Sequence, residues 1–142
     1  AGHNPMGYYK AGTKQVVLVN PSGMPLGVPS TLEGDFTDRL EEVNLKLDSG
    51  DLLFIYTDGI TEATNREGRL YGQERLIKFM EDKLLHSTYD KLSSLTEDIV
   101  AEIDSFSGFA KQNDDITFIL ARTAGPASEH EETAADSETH AN

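Results

Sequence analysis

The chain has 142 residues and a formal net charge of -13, from 12 basic and 25 acidic side chains. That length supports one domain with a core of its own, and so acidic a surface repels phosphate backbones and anionic lipid, which disfavours nucleic acid and membrane as partners. Cysteine does not occur, so disulfides, thiolate metal sites and a cysteine nucleophile are excluded, in keeping with a reducing, cytoplasmic compartment.

The chain opens on Ala1 rather than Met, directly at Ala1-Gly2-His3-Asn4-Pro5, and reads as a piece of a longer protein. No apolar run approaches the length of a membrane span, and the opening does not read as a signal peptide. Tyr8-Tyr9-Lys10, the connector Ala11-Gly12-Thr13-Lys14 and the β-branched Gln15-Val16-Val17-Leu18-Val19 predict a hairpin. Pro21, Gly23, Pro25, Gly27 and Pro29 make residues 20–30 an irregular loop. Over Glu41 to Leu47, Val43, Leu45 and Leu47 alternate with polar residues, the pattern of a half-buried strand. Asp48-Ser49-Gly50-Asp51 is a turn, so that strand is expected to pair antiparallel with the next one.

The next strand is the one the rest is organised around. Leu52-Leu53-Phe54-Ile55-Tyr56 is an unbroken apolar run, as in a strand buried on both faces, and Asp58-Gly59 stops it. A carboxylate where a buried strand leaves a sheet is held rigidly yet reaches solvent, metal or substrate; Asp-Gly is equally a common turn signal. After a polar turn at Asn65-Arg66-Glu67-Gly68, Leu76, Met80 and Leu84 with Ile77 mark a helix from Gln73 to about Leu85. Ser87 or Thr88 can cap a second helix over Tyr89 to Phe106, with Leu92, Leu95, Ile99, Ile103 and Phe106 on one stripe and an end near Gly108. Ile116 to Ala121 is a closing strand. Residues 124–142 contain Glu129, Glu131, Glu132, Asp136 and Glu138, no Lys or Arg and no large apolar residue, and are expected to be a disordered acidic tail beyond a folded portion at 1–123. Strands, two helices, then a strand argue for an α+β fold with an antiparallel sheet.

If the closing strand pairs antiparallel with Leu52 to Tyr56, Asp58 and Asp114-Asp115 meet at one edge of the sheet. Clustered carboxylates repel unless a cation lies between them, and hard oxygen donors suit Mg²⁺ or Mn²⁺. Two such ions activate water and stabilise in-line displacement at phosphorus. Successive residues of an extended chain point opposite ways, so one of Asp114 and Asp115 faces the cluster; the alternative is that the pair is a solvated turn. Thr57 and Thr61 flank Asp58 but have no histidine near in sequence to act as base. No Gly-rich phosphate loop with its lysine is present. The run Tyr56 to Thr61 superficially resembles the aspartyl-phosphate phosphatases, but Tyr56 stands where their nucleophile would be.

Five motifs in order, Ala1-Gly2-His3-Asn4-Pro5, Gly23-Met24-Pro25-Leu26-Gly27, Gly50-Asp51 with Tyr56-Thr57-Asp58-Gly59-Ile60-Thr61-Glu62-Ala63, Tyr71-Gly72 and Asp114-Asp115-Ile116-Thr117, resemble the bacterial stage II sporulation E-like branch of the PPM serine/threonine phosphatases, relatives of protein phosphatase 2C, over about residues 1–122. The resemblance implies two packed antiparallel sheets flanked by helices and a two-metal Mg²⁺ or Mn²⁺ centre between them. It implies hydrolysis of protein phosphoserine or phosphothreonine by metal-activated water, the usual substrate being a phosphorylated anti-sigma-factor antagonist. It makes Asp58 and Asp114 metal ligands, Gly59 the close-packed turn beside them, and Glu62, His3 and Asp115 lesser candidates. The family's Gly-Gly-Asp and Asp-x-Ser-Gly-His-Gly type motifs do not occur, so the chain matches the C-terminal half of the catalytic domain. It is expected to bind metal weakly, to be inactive alone, and to self-associate through an exposed sheet face. The alternative is a non-catalytic, phosphatase-like interaction module in bacterial signalling.

Overall fold

The computed structural model describes residues 3–23, 40–87, 89–108 and 114–124. Strands β1 (Met6–Lys10), β2 (Gln15–Val19), β3 (Leu52–Tyr56) and β4 (Phe118–Arg122) form a four-stranded sheet in the order β2-β1-β3-β4. Every pairing is antiparallel, with Tyr8 opposite both Val17 and Leu53, and Phe54 opposite Leu120. Helices α1 (Asp58–Thr61), α2 (Gln73–His86) and α3 (Leu92–Ser107) lie between β3 and β4 in sequence. The α+β class and the hairpin are as the sequence predicts.

Side chains directly opposite in an antiparallel pair share a face. Tyr9, Leu52, Phe54 and Tyr56 therefore lie on the face that meets the helices, in one cluster with Leu76 and Met80 of α2 and Leu95, Ile99 and Ile103 of α3. Met80 and Leu95 are completely buried. Gly7 belongs to this face because the Phe54 ring lies on it; a Cβ there would collide with three ring carbons. The opposite face has no helix among the described residues, and Val17, Ile55 and Ile119 on it are 42%, 38% and 60% exposed.

The expected strand over Glu41 to Leu47 does not form. The segment has no regular secondary structure, with Val43 and Leu47 exposed. The place beside β3 that it was expected to fill is taken: β1 pairs on one side of β3 and β4 on the other. It is tied down at two points instead, by Glu41 N–H donating to Ser22 O at 2.9 Å and the Tyr8 hydroxyl donating to Lys46 O at 3.2 Å. The turn after it does form, with Gly50 at φ 85° and Asp51 N–H donating to Asp48 O.

Helix α3 begins at Leu92, three residues later than the periodicity from Tyr89 suggests, with Lys91 at its N-cap and no side-chain cap. Tyr89 is used for packing instead. Its buried hydroxyl donates to Asp98 Oδ2 at 2.6 Å, and Arg122 donates to its carbonyl. Thr88, residues 24–27 of the second motif, Ala1 and Gly2, and the acidic tail lie outside the described residues.

Candidate metal centre

Strand β3 delivers its last residue to the edge of the sheet beside the lead-in to β4. Tyr56 pairs with Phe118, and the ladder continues one step beyond, Thr57 N–H donating to Thr117 O at 2.9 Å. The Thr57 hydroxyl donates to Asp115 O at 3.0 Å and accepts from Thr117 N–H at 3.0 Å. Thr57 thus joins the two acidic segments. Nothing in its immediate sequence marked it for that, but its position opposite Thr117 in a β3–β4 ladder is the signal that could have.

Gly59 is buried in α1, and its missing side chain is what permits the approach. A Cβ there would collide with Asp115 O, lie 2.9 Å from Asp115 C and 3.2 Å from Asp114 O. All three are backbone atoms, so no rotamer change relieves the contact. The structure therefore brings the Asp58-Gly59 turn against Asp114-Asp115, as antiparallel pairing of β3 and β4 requires.

Asp58 opens α1 and is exposed. The short helix is a feature the sequence reading took as a plain turn. It is pinned from below: Tyr71 N–H donates to Ala63 O at 2.8 Å and Gly72 N–H to Thr61 O at 2.9 Å. Tyr71 is buried edge-on against Phe106, and Gly72 adopts φ 81° to start α2, which gives the Tyr71-Gly72 motif its physical role. Thr61 donates to Asp58 O at 3.3 Å within the helix. Asp114 is exposed, and its Oδ1 accepts from Asp115 N–H at 2.7 Å.

The other candidates are placed less closely. Glu62 caps the C-terminus of α1 and is exposed. His3 is exposed, with Nδ1 2.9 Å from Asn4 O. Among the described residues no three His, Asp or Glu side chains gather as a metal site would require. The donor chemistry at the edge, carboxylates on two facing backbone segments, fits a hard cation, but as a pair and not as a full ligand set.

Asp51, a turn residue and part of the Gly50-Asp51 motif, has a structural role that its sequence position does not announce. Asp51 is 3% exposed and accepts from the Tyr8 hydroxyl at 2.6 Å and from Ala11 and Asp48 N–H at 2.9 Å each. Burial opposes its ionisation, but these donors outweigh burial and hold its pKa below the usual carboxylate value. The same hydrogen bond, with burial, pushes Tyr8 up to about 12. Asp51 locks the entry to β3 onto β1, so that the acidic exit of β3 stands on a fixed strand.

Comparison with known proteins fits this frame. Residues 1–124 match the family model described as Stage II sporulation protein E (SpoIIE). Protein IcfG of Synechocystis sp. is 28% identical over 119 residues, covering 80% of this chain and 18% of that protein. The SiaA-PP2C domain of Pseudomonas aeruginosa superposes with a TM-score of 0.63 at 18% identity, over 84% of this chain and 43% of that one. The phosphatase domain of the cell fate determinant SpoIIE from Bacillus subtilis, in a crystal form without domain swapping, gives 0.59 at 21% identity, over 95% of this chain and 53% of that one. The chain thus spans about half of these solved domains and under a fifth of IcfG. No described helix is long and apolar enough to cross a membrane. A family match across nearly all of the described fold, with two PP2C-type domains as structural neighbours, places this chain in the SpoIIE family of PP2C-like phosphatase domains.

Proposed function

We propose that this chain forms one wall of a metal-dependent phosphatase centre acting on phosphoserine or phosphothreonine of a signalling protein, with an anti-sigma-factor antagonist as the substrate class. The reading is carried by one observation, the backbone contact of Gly59 with Asp114 and Asp115. It sets the exposed acids Asp58 and Asp114 on facing segments at one sheet edge. Asp58 and Asp114 would hold Mg²⁺ or Mn²⁺, with Asp115, Glu62 and His3 as lesser candidates. A bound ion of this kind supplies Lewis acidity toward a phosphoryl oxygen and a more acidic water.

The chain's own residues have three tasks. Thr57 holds the two segments in register, Gly59 lets them approach, and the two carboxylates concentrate negative charge. Without a cation that charge repels a phosphoester, so substrate binding at this edge depends on metal. A pair of carboxylates is half a ligand set, and the chain alone is expected to bind Mn²⁺ weakly without turning over phosphoprotein. The pairing of only two acids also favours a second reading, a non-catalytic module that keeps the scaffold and binds a signalling partner.

Calorimetric titration with Mn²⁺, with Asp58→Asn and Asp114→Asn compared, tests the ligand assignment. Each variant is expected to lose binding, and unchanged binding in both would refute the assignment. Mn²⁺-dependent hydrolysis of p-nitrophenyl phosphate by the longer parent protein separates the two readings. Activity lost in both variants supports the enzyme, and no activity in the parent supports the module.

A further inference from the structure

Beside the acidic edge the structure has a second feature that the metal reading does not use. A groove of about 480 Å³ runs between α3 and the segment leading into β4. Ile99 and Ile103 of α3 form its base, and Ile116 and Phe118 its other wall. Ile99 and Ile103 are fully packed, while Ile116 and Phe118 are only half-buried, so the groove offers apolar surface. Val100, 45% exposed, stands on its rim. Two further lining residues are acids, Asp104 on α3 and Asp115 across from it, both exposed.

Asp115 belongs to both places. Its backbone is the surface that Gly59 and Thr57 contact, and it lines the groove. The groove is therefore continuous with the candidate metal edge. A trough of Ile and Phe side chains interleaved with polar groups and bordered by Asp104 and Asp115, on a chain of formal charge -13, is complementary to an apolar side chain flanked by cations. Such a side chain buries its body in the trough while neighbouring Lys or Arg groups meet the acids. An extended segment advances about 3.3 Å per residue, so an anchor here would leave a residue a short way along the same segment at the edge.

We propose that this groove docks a segment of the phosphoprotein substrate in which an apolar anchor is flanked by Lys or Arg, a few residues from the phosphorylated position. The inference rests on the phosphatase reading for what lies at the edge, but the docking itself needs no metal. It also gives that reading a recognition element: basic flanks offset the repulsion between the acidic edge and an incoming phosphate.

The test is fluorescence polarisation with the 142-residue chain in EDTA, using a dye-labelled, unphosphorylated peptide with one leucine among lysines. Controls replace the leucine by serine or the lysines by glutamate. The leucine–lysine peptide is expected to bind saturably, each control at least tenfold more weakly. Val100→Lys and Asp104→Lys, both exposed substitutions checked for folding by circular dichroism, are each expected to weaken it tenfold or more. Equal binding of the serine control, or affinity unchanged in both variants, would overturn the proposal, as would no saturable binding. Repeating the titration with a phosphoserine peptide and Mn²⁺ separates the two readings. If Mn²⁺ adds no affinity while the binding in EDTA stays sensitive to Val100 and Asp104, the metal reading fails and the groove stands.

Discussion

Replacing Gly59 by Ala sets two well-defined effects against each other. Gly59 is a helical residue, so intrinsic propensity favours alanine by about 1 kcal/mol. Against this, the added Cβ would lie 2.9 Å from Asp115 C and 3.2 Å from Asp114 O, and closer still to Asp115 O. Relief requires the α1 turn and the lead-in to β4 to separate, since every atom met is backbone. Overpacking of this kind costs about 1–3 kcal/mol. Separation also stretches the bonds from the Thr57 hydroxyl to Asp115 O and from Thr117 N–H to Thr57, both 3.0 Å, worth about 0.5–1.5 kcal/mol each. The costs exceed the propensity gain, and a net loss of about 1–5 kcal/mol is expected. Urea unfolding followed by far-ultraviolet circular dichroism measures it, as a lower Cm at unchanged m. Mn²⁺ affinity should fall in the same variant although no carboxylate has changed. A Cm equal to or above that of the parent chain would mean that propensity wins, and that the contact holding Asp58 to Asp114 is not there.

Asp51→Asn removes the charge that Tyr8, Ala11 and Asp48 solvate and should cost about 1.5–3 kcal/mol at neutral pH. Its folded pKa is depressed, so its contribution is complete above the unfolded carboxylate value of about 3.9 and is lost as pH falls through the folded value. The stability gap between the parent chain and Asp51→Asn should therefore narrow as unfolding is measured from pH 7 down toward pH 3; a constant gap would argue against the network. Met80→Ala, at a completely buried position, should cost about 2–5 kcal/mol, whereas Ile119→Ala, at an exposed position on the opposite face, should cost well under that, and equal losses in denaturant melts would misplace the core.

What was legible in the sequence followed from local signals. The Leu76, Met80 and Leu84 spacing marks α2, because its buried side chains belong to one element, and the short connector between Tyr8-Tyr9 and Val16-Val17 marks the hairpin, because the paired strands are neighbours in sequence. The segment at Val43, Leu45 and Leu47 misled for a physical reason. Alternation reports which face is apolar, not whether a strand edge is free, and both edges of β3 were already occupied. At the site, Asp58 and Asp114 were visible as acids at the end of one buried strand and the start of another. The parts that hold them were not. Thr57 joins to Asp115 and Thr117 across about sixty positions, and Tyr71-Gly72 supports α1 by backbone bonds, neither of which composition or periodicity encodes. The later start of α3 has the same origin, since Tyr89 precedes the helix and is held there by the Asp98 side chain of α3 and by Arg122 of β4.

The sheet face that carries no helix among the described residues buries Tyr8 but leaves Val17, Ile55 and Ile119 exposed. Four strands of five residues, at about 4.8 Å between strands and about 3.4 Å per residue, present a footprint of roughly 300 Å². A standard interface buries about 800 Å² on each partner. Val17, Ile55 and Ile119 are exposed enough to attract a second copy, yet the face is too small to hold one firmly. Two copies meeting there would also bring two acidic chains together, each of formal charge -13, and that repulsion weakens with salt. Self-association is therefore expected to be weak, to rise with concentration, and to strengthen as salt is added. Sedimentation velocity across a concentration series at low and high salt measures this. An Ile119→Lys substitution should abolish whatever association is seen, because it adds a charge to the face without touching the helix-side core. A tight dimer insensitive to both Ile119→Lys and salt would mean that copies meet elsewhere, and that the apolar face is not what drives them together.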